Sequence, residues 1–366
     1  MSIPFVDLKA QYESIKNEID SAIESVVNQT SFIGGSVVRD FEAAFAEYVG
    51  VKNCVGVANG TDAIEIALRA LGVGPGDEVI VPALTWISTA GAVNSVGGEP
   101  IFVDVLEDQR TINPALIEEK ITQKTKAIIP VHFYGLPAQM NEIMTLARKH
   151  NLKVLEDSAQ AHGAQIDGNL VGTIGDIATF SFYPGKNLGA YGDAGAIVTN
   201  NDDSANTCRM VSNHGQLTKH DHQIIGRNSR LDTMQAAILK AKLPYLDEWT
   251  EARIRVASWY NEQLRDGVTK PTIPLNMKHV FHLYVIQSPK RDDLMNSLKQ
   301  ENIGCALHYP TPLPHLKSYA YQNHKIGDFP VAEKLCSEIL SLPIFPELSE
   351  EDLDRVCDII NEFNSI

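Results

Sequence analysis

Residues 54–71 read Cys-Val-Gly-Val-Ala-Asn-Gly-Thr-Asp-Ala-Ile-Glu-Ile-Ala-Leu-Arg-Ala-Leu. A short apolar run, Cys54–Ala58, meets a polar turn at Asn59-Gly-Thr-Asp62 and passes into a helical stretch, Asp62–Leu71. That is one β-to-α passage. The alternation continues to about Asn200, with further strand candidates at Glu78–Val81, Pro100–Val103, Ala127–Pro130, Lys153–Glu156, Ala178–Phe182 and Ala196–Thr199. Helical stretches lie between them, at Ile87–Val96, Pro114–Ile121 and Gln139–His150. Runs that are apolar throughout, separated by helices, are what βαβ units leave when a mainly parallel sheet is covered on both faces. The expected fold class is therefore α/β, built on one large seven-stranded sheet.

Beyond the sheet, Asn228-Ser-Arg-Leu-Asp-Thr-Met-Gln-Ala-Ala-Ile-Leu-Lys240 reads as a loop capped into a helix, and Tyr245–Arg265 as a long helix linking two lobes. After Gly267, Pro-rich loops alternate with a strand candidate, Phe281–Gln287, and helices over Arg291–Gln300, Val331–Ser341 and Glu350–Asn364. The chain is expected to divide into a large domain, 1–244, and a smaller C-terminal α+β domain, 245–366. The length of 366 residues agrees with about two domains at roughly 150 residues each.

Composition excludes several classes. Apolar residues make up 44% and charged residues 21%, ordinary for a folded globular protein. The formal charge of −15 opposes a phosphodiester backbone, so no nucleic-acid partner is expected. The first residues lack a basic and then apolar leader, and no run approaches the ~18 apolar residues of a membrane span. A soluble, cytoplasmic protein with no membrane partner is expected. Five cysteines share no CxxC spacing, so neither a disulfide framework nor a metal site is indicated.

Four segments end predicted strands, where open α/β sheets bind ligands. In Asn59-Gly-Thr-Asp62, free backbone N–H groups at a helix start suit a phosphate; Gly60 permits close approach and Thr61 adds a hydroxyl. Taken alone, the same turn is an ordinary helix cap. In Glu156-Asp-Ser-Ala-Gln-Ala-His162, Asp157 reaches the carboxyl edge, where a partly buried carboxylate needs a cation or donor. A structural ion pair would satisfy it equally. Ser181-Phe-Tyr-Pro-Gly-Lys-Asn-Leu-Gly189 places Lys186 in a Gly-rich loop, although most lysines are merely solvated. It is not a nucleotide-hydrolysing GxxxxGK[ST] loop, because Phe180 and Asn187 stand where that motif needs Gly and Ser or Thr. In Val81-Pro-Ala-Leu-Thr-Trp-Ile-Ser-Thr89, Trp86 is placed to stack on a flat ring or to fill a core.

One demand unites the four. A pyridine aldehyde cofactor needs a lysine for its Schiff base, an acid to keep the ring nitrogen protonated, a phosphate cup and a stacking partner. Lys186, Asp157, Gly60 with Thr61 and Ser181, and Trp86 fill those places.

With these motifs the chain resembles the DegT/DnrJ/EryC1/StrS group of sugar aminotransferases. The likeness runs from Phe5 to about Pro314 through NGTDA (59–63), VPALTWIST (81–89), EDSAQAHGA (156–164), SFYPGKNLGAYGDAGAI (181–197) and NSRLDTMQAAIL (228–239). The resemblance implies the type I aminotransferase fold, pyridoxal 5′-phosphate as cofactor, and Lys186 as the Schiff-base residue. It places Asp157 on the pyridinium nitrogen and Gln160 near the phenolic oxygen. Gly60, Thr61 and Ser181 hold the phosphate, and Trp86 stacks on the ring. Asn228 matches a residue that reaches the phosphate from a neighbouring subunit, which implies a homodimer with shared active sites. Tyr183, His308 and Tyr309 match substrate-side positions.

The implied reaction moves an amino group from L-glutamate to a nucleotide-linked ketosugar, dTDP- or UDP-linked, with C3 favoured over C4. Such a product serves amino-sugar and surface polysaccharide synthesis of the O-antigen kind. A 4-ketosugar enzyme of the same family and a non-enzymatic regulator that keeps the fold are the alternatives. Because the overall charge is negative, anion binding must come from local donors, including a partner loop with Arg227, Asn228 and Arg230.

Overall fold

The computed structural model describes residues 2–365; positions 1 and 366, which close the expected domains, lie outside them. Three helices come first: α1 (Leu8–Ser14), α2 (Lys16–Gln29) and α3 (Gly35–Val49). The large sheet follows, with β1 (Asn53–Val57), β2 (Glu78–Pro82), β3 (Glu99–Val103), β4 (Thr125–Ile128), β5 (Lys153–Asp157), β6 (Ile177–Ser181) and β7 (Gly195–Thr199). Their spatial order is β1-β7-β6-β5-β4-β2-β3. Only β7 runs against the rest, pairing antiparallel with β1 and β6, so the sheet is mainly parallel as its sequence predicts.

Alternation along each strand explains the unbroken apolar runs. Val79, Val81, Ala127, Ile129 and Leu155 pack on the face that receives α4 (Gly60–Ala70), whereas Ile80, Ile128 and Val154 meet α6 (Met140–His150) on the other. Both faces are buried, so neither set is polar. Ile64, Ile66 and Leu68 of α4 are buried, each stabilising by roughly 1.5–3 kcal/mol. Under β6 and β7, Phe45 of α3 meets Phe180 and Phe182 edge-on at 5.1 and 5.2 Å.

A second core gathers the C-terminal half of α9 (Leu246–Gln263), α10 (Arg291–Gln300), α12 (Glu350–Asn364) and an antiparallel pair, β8 (Tyr284–Gln287) with β9 (Ile339–Leu342). Ile3 packs into this core and pairs with Ile303. The stretch 313–329 leaves it and covers the β3 edge, where Tyr319 packs on Phe102 at 5.0 Å and Gln322 donates to the Pro100 carbonyl at 2.9 Å. Asp104 caps α11 (Pro330–Glu338) by accepting from the Val331 and Ala332 amides, both at 2.9 Å.

Three expected elements differ. Residues 114–121 form two 3₁₀ turns, Pro114–Leu116 and Glu118–Lys120, because this short connection turns at Thr122 to enter β4. The expected helix over Val331–Ser341 ends at Glu338, where the Arg291 guanidinium takes the Cys336 and Ile339 carbonyls and Ile339 begins β9. The strand expected from Phe281 starts only at Tyr284, since Phe281 sits at φ 45°.

Candidate active site

The carboxyl ends of β1, β2, β5 and β6 lie at the same edge of the sheet. Asn59 caps α4 by accepting from the Asp62 amide at 2.8 Å. Gly60 and Thr61 then form the first turn, whose N–H groups have no intrahelical acceptor. A Cβ on Gly60 would lie 2.7 Å from Cβ of Ser181, so only glycine lets α4 approach the end of β6 this closely. The Thr61 hydroxyl meets that of Ser88 at 2.7 Å. The structure therefore brings Gly60, Thr61 and Ser181 together as a cradle of donors.

Asp157 closes β5 and is buried. Its Oδ2 accepts from the Thr89 hydroxyl at 2.8 Å and its Oδ1 from the Ala159 amide at 3.2 Å. Desolvation nevertheless raises its pKa, against the opposing pull of these donors, Lys186 and His132. A cationic N–H placed against this carboxylate would compensate that desolvation. The adjacent Glu156 has a different task. Its carboxylate accepts from His132 Nε2 at 3.0 Å and from the Gly172, Ile174 and Gly175 amides at 2.7–2.9 Å. Desolvation pushes Glu156 up, but these donors outweigh it and hold the carboxyl below its ordinary pKa. Nδ1 of His132 accepts from the Ala138 amide at 3.0 Å, which assigns the ring proton to Nε2. The His132 amide donates to the Asp157 carbonyl at 3.1 Å, so the buried pair also fixes the Asp157 backbone.

Lys186 follows a tight turn in which its own amide donates to the Tyr183 carbonyl at 2.8 Å. A Cβ at Gly189 would fall 2.2 Å from the Pro184 carbonyl oxygen, so the turn closes only over glycine. Asn187 donates to Val280 O at 2.9 Å, buried Lys242 donates to Gly189 O at 2.7 Å, and the Tyr191 amide donates to Gln235 at 2.8 Å. Burial lowers Lys186 to about 8, while the charge of Asp157 acts to raise it. An amine with that pKa is partly neutral near physiological pH and can act as nucleophile or base.

The opposite wall is aromatic. Trp86 is 53% exposed and lies 5.2 Å from the Tyr309 ring. Burial and the charge of Asp157 raise the Tyr309 phenol, with Gln160 acting against them. Buried Gln160 accepts from the Tyr134 amide at 2.8 Å. His308 stacks on Phe5 at 5.7 Å and meets Ser341 Oγ at 2.8 Å through Nδ1; burial and the Lys186 charge lower it to about 4. Tyr183 is exposed on the Lys186 loop.

Asn228 pairs through its backbone with Asn213 and is exposed on the single chain. Arg227 departs from expectation. Its guanidinium closes on Asp62 at 3.0 Å and Glu65 at 2.7 Å, both on α4 of its own chain. The sequence reading missed Thr89, Tyr134 and Lys242. Thr89 lay within the quoted VPALTWIST stretch, whereas no local signal marked the other two.

The residues present fit a pyridoxal cofactor: a donor cradle that a Cβ would fill, a buried carboxylate whose desolvation favours a cationic partner, and a lysine of lowered pKa. Among the described residues there is no cluster of three His, Cys, Asp or Glu side chains that could hold a metal ion, and no helix long and apolar enough to cross a membrane.

Comparison with known proteins extends this reading. The family model described as the DegT/DnrJ/EryC1/StrS aminotransferase family matches residues 13–361. A pleiotropic regulatory protein of Geobacillus stearothermophilus is 47% identical, with 99% of each chain covered. A UDP-N-acetyl-3-dehydro-α-D-glucosamine 3-aminotransferase of Acidithiobacillus ferrooxidans is 48% identical over 98% of this chain and 97% of its own. The crystal structure of S. venezuelae DesV in complex with a ketimine intermediate superposes with a TM-score of 0.98 at 42% identity, covering 100% of this chain and 99% of that one. Fold and site together define an aminotransferase of the type I fold. The chain belongs to the DegT/DnrJ/EryC1/StrS aminotransferase family, and its cofactor is pyridoxal 5′-phosphate.

Proposed function

We propose that the protein transfers the amino group of L-glutamate to C3 of a UDP- or dTDP-linked 3-ketosugar, in the cytoplasm, for amino-sugar and surface polysaccharide synthesis. The observation that carries the sugar class is the near full-length match to the A. ferrooxidans enzyme, whose name specifies a UDP-linked 3-dehydro sugar. Relatives named for dTDP-linked 3-amino sugars support the same carbon and leave two nucleotides to test. A homodimer with shared sites belongs to the reading, as does a division into a cofactor-binding domain over 1–244 and a small domain over 245–366.

Bound, pyridoxal phosphate supplies an aldehyde that carries the amino group and a ring that accepts the electron pair released when the neighbouring C–H bond breaks. The chain's residues do the rest. Gly60, Thr61 and Ser181 donate to the phosphate and fix the ring's position. The Asp157 carboxylate, held by Thr89 and Ala159, keeps a proton on the ring nitrogen. Trp86 would stack on the ring, and Gln160 would lie near its phenolic oxygen. The Lys186 amine would hold the cofactor at its aldehyde carbon and, when free, would take the proton from the donor α-carbon and pass it on. With the sugar the same amine would move a proton in the opposite sense. Tyr183, His308 and Tyr309 face the substrate, and a partner's Asn228 completes the phosphate site.

Purified protein is tested with L-glutamate against UDP- and dTDP-linked 3-keto and 4-keto sugars, reading 2-oxoglutarate and product mass. Turnover of a 3-ketosugar supports the proposal, and exclusive turnover of 4-ketosugars overturns the carbon assignment. The name of the G. stearothermophilus relative favours a regulator as second reading. That reading gains if no ketosugar is turned over and Lys186→Ala complements a deletion strain.

A further inference from the structure

Tyr134 is buried and has no place among the proposed roles, yet it touches both Gln160 and His308. Tyr134 follows β4 in a loop whose backbone turns through φ 58° at this residue. Its side chain is buried and stacks on Phe133 at 3.8 Å. Three contacts radiate from it. The amide donates to Oε1 of Gln160 at 2.8 Å, the carbonyl accepts from the Leu283 amide at 3.3 Å, and the hydroxyl donates to the His308 carbonyl. The loop is anchored again one residue on, where the Gly135 carbonyl accepts from the Val280 amide at 3.0 Å, and Val280 in turn accepts from Asn187, the neighbour of Lys186.

We infer that Tyr134 is a positioning residue for substrate: through its hydroxyl it sets the His308–Tyr309 segment against the cofactor, while its amide independently orients Gln160. The inference rests on the reading that His308 and Tyr309 face the substrate. Two features of the segment support it. The His308 ring is held by Ser341, at 2.8 Å, and by the Phe5 ring, whereas the Tyr134 hydroxyl supplies the side-chain tether on the His308 backbone carbonyl. The next residue, Tyr309, contributes a ring 5.2 Å from Trp86 and 6.2 Å from Phe133. A shift of the His308 carbonyl therefore moves the Tyr309 ring, and with it the space left for a sugar beside Trp86.

The two connections are separable by mutation, since Tyr134→Phe removes the hydroxyl and keeps the amide and the ring. The test compares Tyr134→Phe with His308→Ala in the cofactor-loaded enzyme, using the 3-ketosugar that the screen identifies. Expected for Tyr134→Phe is a rise in KM for the sugar of about three- to tenfold, the size of one net hydrogen bond, with a smaller fall in kcat and the wild-type absorption maximum of the bound cofactor. A merely structural role would not divide KM from kcat in this way. Hydrogen exchange gives a second readout, independent of turnover: the amides of 306–311 should exchange faster in Tyr134→Phe, with the 153–157 strand unchanged.

Unchanged sugar KM in Tyr134→Phe with a raised KM in His308→Ala overturns the positioning role alone. Unchanged KM in both variants overturns the substrate-facing reading of His308 and the inference with it. An altered cofactor spectrum in Tyr134→Phe also overturns it, because the hydroxyl would then act on the cofactor side.

Discussion

The Thr89 hydroxyl donates to Oδ2 of Asp157 across 2.8 Å, joining the start of α5 (Ser88–Ser95) to the end of β5. Both side chains are buried, so the hydroxyl acts in a medium that magnifies its effect on the charged carboxylate. It favours the ionised form and pulls against desolvation, the dominant influence on this group. Thr89→Val should therefore raise the Asp157 pKa further. The acid limb of kcat/KM is expected to move to higher pH by about one unit, equivalent to roughly 1.4 kcal/mol. A full pH profile checks this, and an unmoved acid limb refutes the coupling.

Asp157 also makes a prediction about the cofactor-free protein. Its folded pKa lies above the ordinary carboxylate value of 3.8. Ionisation therefore weakens the fold, with no effect below the ordinary value and a growing one as pH rises through the folded value. Asp157→Asn should raise the Tm of cofactor-free protein near neutral pH by roughly 1–3 °C, and the difference should vanish on acidification. In the loaded enzyme the same substitution removes the proposed partner of the ring nitrogen. kcat is expected to fall by about 10²-fold or more. Calorimetry of both forms separates the opposite effects.

Lys186 titrates at about 8 because burial disfavours its ammonium. Only the neutral amine attacks an aldehyde, so the rate of cofactor capture by cofactor-free protein should climb about tenfold per pH unit below 8 and level off above it. Stopped-flow absorbance reads this directly. Borohydride treatment should leave the cofactor's mass on the peptide carrying Lys186, and Lys186→Ala should abolish both the attachment and transamination.

These predictions draw unequally on the sequence. Lys186, Asp157, Gly60 and Ser181 were legible: strand periodicity puts Asp157 and Ser181 at the carboxyl ends of their strands, with Gly60 and Lys186 in the turns that follow, and the structure brings these four together. Their roles came from the joint demands of the cofactor and from the family resemblance. The supporting contacts were not. Thr89 reaches Asp157 across 68 residues of chain, Lys242 reaches Gly189 across 53, and Tyr134 reaches His308 across 174, and no local pattern encodes such pairings. Arg227 is a different case. It was expected as an anion donor in a partner loop, and on the single chain its guanidinium bridges Asp62 and Glu65, which project from α4 at a spacing that one guanidinium spans. The β9 strand escaped for a third reason: Ile339-Leu-Ser-Leu342 follows directly on a helix, and the long-range pairing with β8, together with the Arg291 contacts to the Cys336 and Ile339 carbonyls, makes it a strand.

The Arg227 pair has a measurable consequence. The guanidinium is 36% exposed, so the pair is screened, and Arg227→Gln should cost at most about 1 kcal/mol of stability. Cofactor affinity should stay close to wild type, because the cation already serves Asp62 and Glu65. A large loss of affinity, read by titrating cofactor-free protein, would show that Arg227 leaves α4 to serve the phosphate.

Asn228 is the neighbouring case and makes the sharper test. It is exposed on the single chain, beside Ser229, whose hydroxyl accepts from the Ala58 amide at 3.3 Å. If a partner's Asn228 completes the phosphate site, Lys186→Ala and Asn228→Ala damage different chains of one site. A mixed dimer then carries one site with both residues intact and one with neither. In an equal mixture half of the dimers are mixed, so activity should recover to about one quarter of wild type, above the mean of the two parent variants. Subunit exchange followed by the 2-oxoglutarate assay measures it. Activity that stays at the mean of the parents would place Asn228 in its own chain's site or outside any site, and the shared arrangement would fall.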